Sequence, residues 1–284
     1  MGYLKHIERC NQYDPSLYTP FYVEGKVFGW IEKSFANYLA PWESVFQIED
    51  SIITLNPNLS TPEQRFQAVA PILKGLHDDG IIDSWVGEFY AVNQSYGEEP
   101  IFLMERAAVS FFGIRGYGVH LNGLVEKPDG TYIWIARRTK EKPFWPGMLD
   151  QMVAGGQPAG IGRLANLIKE CAEEANIPEP IASKAKFVST IHYRGTSTRG
   201  MNVDTLFNYD LTLPEDFVPV NTDGEVDEFI LMPLEEMAHI TETTDDFKDN
   251  CNLVNIDLLI RRGLLNKSHP DYSEIYKKLY APAT

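Results

Sequence analysis

Residues 155–177 read GGQPAGIGRLANLIKECAEEANI, and this stretch decides the architecture. Glu170, Glu173 and Glu174 stand at i, i+3 and i+4. At roughly 100° per residue, a helix gathers all three carboxylates within an arc of roughly 100°. Like charges crowded in this way destabilise a bare helix. A divalent cation reverses that penalty, because hard cations take oxygen ligands. The preceding Gly155-Gly156 and Pro158-Ala159-Gly160 predict a tight, low-bulk loop through which backbone approaches a ligand closely. Spacing alone would favour a solvated acidic face; the glycine approach tips the reading toward a metal. Carboxylates holding a metal beside an open backbone loop suit cleavage of a phosphate ester or anhydride. Downstream, Asn176 can take the left-handed conformation that ends a helix, and Pro178 follows as a stop.

The chain has 284 residues, room for one large domain or two ordinary ones. Its formal net charge of −15 argues against a nucleic-acid partner, which needs clustered Lys and Arg. A small diphosphate is compatible with that charge, because a bound metal and a few local cations dominate the site. No apolar run reaches membrane-span length, so no membrane partner is expected. The 3 cysteines, Cys10, Cys171 and Cys251, form no disulfide or zinc spacing. With no secretory signal, they point to a reduced, intracellular and cytoplasmic setting. Cys171 reads as a buried, inert thiol.

Pattern reading divides the chain at 115/116. In residues 1–115, 22–33 predict a hairpin around Gly25 and 45–57 a second strand pair. A helix opens at Thr61-Pro62-Glu63, with Thr61 as N-cap and Gln64 completing a capping box. Phe66, Val69, Ile72, Leu73 and Leu76 give it one buried stripe. Two further strands close a small α+β unit that holds no expected catalytic residue. In residues 116–284, GYGVHLNGLV and TYIWIARR predict strands paired across Asp129-Gly130. The glycine loop and acidic helix follow, then strands at KFVSTIHYRG, VDTLFNYDLTL and EVDEFILMPL, and three helices ending the chain.

The stretch 155–177 resembles the signature of the Nudix hydrolases, G-x5-E-x7-R-E-U-x-E-E-x-G-U. Gly155 is its first glycine, and Lys169 to Glu174 fill its REUxEE core. Ile161 replaces the early glutamate, Lys169 the arginine and Asn176 the late glycine. Flanking sequence resembles a branch in which a Nudix domain follows an N-terminal domain of about this length. Some relatives carry it fused to thiamine pyrophosphokinase. The resemblance implies an α/β (α+β) fold, a Nudix α/β/α sandwich preceded by the small N-terminal α+β domain. It also implies Mg²⁺- or Mn²⁺-dependent hydrolysis of a diphosphate linkage. For this branch the substrate is thiamine diphosphate, or its oxidised or damaged derivatives, in metabolite damage repair.

In that scheme Glu170, Glu173, Glu174 and the carbonyl of Ala154 hold the metal. Gly155, Gly156 and Lys169 support them. Glu174 and Glu173 are candidate bases, together with Glu225, just before a predicted strand; Glu228 is the runner-up. Cations must meet the substrate phosphates, and Lys142 and Arg199 lie on nearby loops. Arg137 and Arg138 end a strand, and alternation lets only one face the site; Arg137 is chosen. Trp145 and Tyr193, with Phe144, are candidate platforms for the substrate rings. Two competing readings use the same scaffold. An isopentenyl-diphosphate-isomerase-like enzyme needs a pocket cysteine paired with a glutamate. A non-catalytic diphosphate-binding module would commonly have lost the carboxylates that remain here.

Overall fold

The computed structural model describes residues 2–49 and 51–282. The chain opens with helix α1 (Tyr3–Cys10) and continues into strands β1 (Tyr18–Val23) and β2 (Lys26–Glu32), turning at Glu24-Gly25. Helix α2 (Lys33–Leu39) and strands β3 (Phe46–Glu49) and β4 (Ile52–Leu55) follow, Asp50 lying outside the described residues. The four strands form one sheet in the order β2-β1-β4-β3. Helix α3 (Pro62–Asp78) starts on the expected capping box, Thr61 accepting from the Gln64 N–H while the Gln64 side chain accepts from that of Thr61. Its stripe is buried at Val69, Ile72, Leu73 and Leu76, with Phe66 only half-buried. Strands β5 (Phe89–Val92) and β6 (Phe102–Glu105) form a separate hairpin. This part has its own core, in which Phe112 packs edge-on to Phe21 at 5.5 Å between ring centroids.

The rest of the chain is built on strands β7 (Arg115–Lys127) and β8 (Gly130–Arg138). They pair across Asp129-Gly130, but only over Gly123–Lys127 and Gly130–Trp134. Beyond that they part, and the next two strands fill the fork. Strand β9 (Leu149–Gln151) pairs with β8, and β10 (Val153–Gly156) pairs with β7. Gly155 and Gly156, expected in a loop, are therefore strand residues. Without side chains they let neighbouring groups press onto the strand from both faces.

Helices α4 (Arg163–Ala175) and α5 (Glu179–Ala182) come next. Asn176 caps α4 at φ 52° and ψ 37°, the expected left-handed stop. Strands β11 (Lys186–Ser197), β12 (Gly200–Thr212) and β13 (Val226–Pro233) complete a mixed seven-stranded sheet. β11 and β12 run farther than the pattern indicated, shrinking the polar connection to a tight turn before Gly200. Helices α6 (Leu234–Thr243), α7 (Asp249–Arg262) and α8 (Tyr272–Leu279) end the chain.

Strand alternation distributes the core. Ile133 and Ile135 of β8 face α6 and α7, whereas Trp134 between them faces α4 with Val119, Leu121, Leu167 and Cys171. The result is an α/β/α sandwich with apolar packing on both faces of the sheet. Each fully buried Leu or Ile contributes about 1.5–3 kcal/mol. Helix α1 joins the α7 side, its Tyr3, Ile7 and Cys10 entering that core. Among the described residues no helix is long and apolar enough to cross a membrane.

Candidate functional site

The fork between β7 and β8 positions the acidic helix. The loop from β10 to α4 is held by two buried amides. Gln157 donates to the Ile161 carbonyl at 2.7 Å, and Asn166 donates to the Gly156 carbonyl at 2.8 Å. These bonds set α4 against β10. Glu174 is buried, and its carboxylate accepts the Ala154 N–H at 2.8 Å. Glu170 lies flat over Gly155, where an added Cβ would collide with its side chain. Glu173, on the flank of the arc away from Glu174, has a side chain 48% exposed and binds Lys169 at 2.9 Å.

Facing Glu174 across the fork is the loop before β13. One ligand oxygen from each of Glu174, Asp223 and Glu225 falls within 4.8 Å of the others. Among the described residues, the clusters close enough to share an ion contain neither Glu170 nor Glu173. Sequence reading missed Asp223, although it lies in the same DGE run as Glu225. The loop is shaped by Asn221 and Asp223, whose side chains accept from the N–H groups of Gly224 and Glu225 at 3.1 and 2.8 Å. A small cavity of about 10 Å³ opens between the two sides, lined by Ala136, Arg138, Asp150, Ala154, Glu174 and Glu225 among others. Its size suits one water or one ion.

Electrostatics favour a cation there. Burial raises the Glu174 carboxyl well above the ordinary range, and the charges of Glu170, Asp150 and Glu225 add to the shift. The Ala154 N–H opposes it, but Glu174 has no ion-pair partner among the described residues. Burial likewise raises Glu170, and burial with the nearby Glu225 charge raises Asp223. A buried, uncompensated carboxylate facing two more is the donor set a hard divalent cation neutralises.

The predicted cations are mostly committed elsewhere. Arg137, expected at the substrate, instead binds Glu228 across the sheet at 2.6 Å and the Gly147 carbonyl. Arg138 faces the cavity, binding Asp150 at 2.9 Å and the carbonyls of Phe144 and Trp145. The physical reason is register: an irregularity at Asp227 sets Val226 opposite Arg138 and Glu228 opposite Arg137. Lys142 forms an ion pair with Glu225. Arg199 binds Asp83 at 2.6 Å and covers the Phe144 ring at 4.0 Å. Trp145 donates to Asp249 at 3.3 Å, with the Lys248 ammonium 5.7 Å from its ring. Tyr193 is not placed at the acidic cluster. Its hydroxyl donates to Asp204 at 2.6 Å and its ring packs against the α7 core, because β11 turns that residue toward α1 and α7.

Behind the cavity sits a charged group that sequence spacing gave no sign of. Asp150 accepts from Arg138, Lys248 and the Cys251 thiol, at 2.9, 3.4 and 2.8 Å. Burial opposes its ionisation, but Lys248 and Arg138 prevail and lower it to about 2. Burial also pushes the Cys251 thiol well up and lowers neighbouring His120 to about 4. Both are therefore neutral near pH 7, and Cys251 is no activated nucleophile. Cys171 lies fully buried in the α4 core, raised to about 12 by burial. The isomerase alternative lacks its thiol.

Comparison with known proteins supplies the family. A domain of unknown function (DUF4743) matches residues 2–116. Over 282 residues the chain is 41% identical to the Arabidopsis thaliana protein named Nudix hydrolase 24, chloroplastic, spanning 98% of this chain and 77% of that one. It is 42% identical over 289 residues to Nudix hydrolase 20, chloroplastic, of the same plant, with the same coverage of 98% and 77%. An uncharacterised protein of Saccharomyces cerevisiae is 32% identical over 257 residues, spanning 84% of this chain and 74% of that one. Among solved structures, DR0079 from Deinococcus radiodurans overlaps 59% of this chain and 95% of its own at 18% identity and a TM-score of 0.41, too loosely to transfer residues. The chain belongs to the Nudix hydrolases. It is thus an enzyme that hydrolyses a diphosphate linkage. The chloroplastic relatives overturn the cytoplasmic expectation. Three unpaired thiols fit any reducing compartment and do not single out the cytoplasm.

Proposed function

We propose that the chain hydrolyses thiamine diphosphate, or its oxidised and otherwise damaged derivatives, to the monophosphate and inorganic phosphate. The observation that carries the diphosphatase chemistry is the convergence of Glu174, Asp223 and Glu225 within 4.8 Å. Glu174, Asp223 and the Ala154 carbonyl would hold Mg²⁺ or Mn²⁺, with Glu170 joining them by leaving Lys169. Bound there, the ion neutralises phosphate charge and polarises the attacked phosphorus. Glu225, steadied by Lys142, takes the proton of the attacking water. Glu173 keeps Lys169 on the outer flank of the helix, where that cation also meets Glu170 at 3.3 Å. Arg138 anchors the loop carrying Phe144 and Trp145. In this reading residues 116–284 form the catalytic domain and residues 1–115 a separate unit, with α1 seated in the core of the former.

The sequence resemblance to the thiamine-associated branch supports the substrate. Local charge supports the damaged forms. The Phe144 and Trp145 rings already carry Arg199 and Lys248 against them, at 4.0 and 5.7 Å. A cationic thiazolium stacked there meets like charge, whereas an oxidised, neutral ring does not. The test is phosphate release with and without Mg²⁺, by wild type and Glu174→Gln, on thiamine diphosphate, an oxidised derivative, and nucleotide and sugar diphosphates. Equal rates for both proteins would sink the site. A nucleotide or sugar diphosphate turned over faster than either thiamine compound would sink the substrate.

A further inference from the structure

Among the described residues, Arg138, Lys142 and Lys169 near the metal fork are each committed to protein groups. Arg138 binds three partners, Lys142 holds Glu225, and Lys169 bridges Glu170 and Glu173. A diphosphate brings further negative charge to a place already rich in carboxylates. Its outer phosphate needs a cation with donors to give, and the part of the chain outside the Nudix signature carries one.

We propose that the N-terminal unit completes the substrate site, with Arg106 binding a phosphate of the diphosphate. The inference rests on the diphosphatase reading above. The β5–β6 hairpin of that unit is fastened to the metal loop. The Phe89 carbonyl accepts the Ala159 N–H at 2.9 Å, the Tyr96 hydroxyl accepts the Arg163 N–H at 3.2 Å, and Tyr117 donates to Asn93 at 2.9 Å. At the centre of this joint lies Gly156. A Cβ there would run into the Tyr90 hydroxyl and lie 3.5 Å from the Arg106 guanidinium carbon. Glycine at 156 is what lets the two side chains sit directly on the strand.

Strand alternation then locates Arg106 relative to the chemistry. Adjacent residues of β10 present opposite faces. Glu170 presses on Gly155 and Arg106 on Gly156, so the guanidinium reaches the strand one residue from the Glu170 carboxylate, from its other face. Arg106 is also within the field of Glu170. Among the described residues its side chain makes one hydrogen bond, to Glu88 at 3.1 Å. Its side chain is half-exposed at 49%, and the donors beyond that bond are not taken up by protein among the described residues. Glu88 and Tyr90 aim the planar fork, and a phosphate oxygen pair fits that fork bidentately. The unit of unknown function thereby acquires a role as a wall of the active site.

Titration calorimetry with inorganic pyrophosphate and Mg²⁺ tests this, using the full chain as wild type, Arg106→Gln, Arg106→Lys and Glu174→Gln. Arg106→Gln should weaken pyrophosphate about tenfold or more, and Arg106→Lys should recover part of the loss. Mn²⁺ binding without pyrophosphate and the unfolding midpoint should stay at wild-type values in Arg106→Gln. In turnover, KM should rise with kcat little changed. The proposal is overturned if Arg106→Gln binds pyrophosphate within about twofold of wild type, or if wild type does not bind it. A Glu174→Gln protein that still takes up Mn²⁺ like wild type would sink the metal reading instead, and the Arg106 comparison would stand or fall on its own pyrophosphate affinities.

Discussion

The Ala154 N–H donates to the Glu174 carboxylate at 2.8 Å, joining the strand that fills the sheet fork to the helix that carries the acidic signature. This bond aims the carboxylate at the cavity, and because a strand residue's N–H and C=O share an edge, the Ala154 carbonyl lies on that edge too. Its geometry depends on the glycine that follows, Gly155, which keeps β10 free of a side chain where Glu170 of α4 crosses it.

Gly155→Ala should therefore disable the site without unfolding the protein. The new methyl group would meet the Glu170 Oε1 at 2.7 Å and press on the rest of that side chain. Glu170 must swing out of its place over Gly155, beside the proposed metal site. We expect kcat/KM to fall about 10–100-fold, with weaker Mg²⁺ activation. Activity titrated against Mg²⁺ checks this; unchanged activation would separate Glu170 from the metal.

The two neighbouring arginines should behave differently. Arg138→Gln removes three hydrogen bonds to Asp150 and to the loop carrying Phe144 and Trp145. It should lower kcat/KM about tenfold or more. Arg137→Gln loses an exposed cross-strand pair with Glu228 and should stay within about twofold. Steady-state kinetics of the two variants decides between the register seen here and the opposite one.

Asp150 should make the protein acid-sensitive. Its folded-state pKa is lowered to about 2 by Lys248 and Arg138 acting against burial. A depressed carboxylate stabilises the fold fully above its unfolded value, about pH 4, and loses that contribution as pH falls through the folded value. The amount is about 2 kcal/mol. Lys248→Met should destabilise the chain at pH 7 by about 2–3 kcal/mol, because Asp150 then keeps only Arg138. The gap between variant and wild type should shrink toward pH 2. Urea unfolding across pH 2–7 measures both; a gap independent of pH would refute the pairing.

Thr61→Ala should cost about 1 kcal/mol through loss of the capping box at α3. It should leave pyrophosphate binding unchanged, since the box involves only Thr61 and Gln64 at the start of α3, whereas the helix meets the β5–β6 hairpin further along, where Phe66 packs on Phe89. Unfolding midpoint and calorimetry on one preparation test both halves.

What was legible in the sequence was local. The Thr61 cap, the hairpin turns at Gly25 and Asp129-Gly130, and the left-handed Asn176 depend on conformational preferences of a few adjacent residues. The clustering of three glutamates on α4 follows from helix periodicity, and the same periodicity sets Glu173 at the far edge of the arc from Glu174. Buried Cys171 follows from it as well.

Tertiary structure decided everything that required register between distant segments. It brought Glu174 against Asp223 and Glu225, about fifty residues away, and turned Arg138 rather than Arg137 to the cavity through one irregularity at Asp227. It assembled Asp150, Lys248 and Cys251 and seated Tyr90 and Arg106 on Gly156. The physical reason is that a strand's faces alternate at every residue. A shift of one position exchanges the buried side chain for the exposed one, and that position is set by long-range hydrogen bonding and packing, not by the residue's own preference.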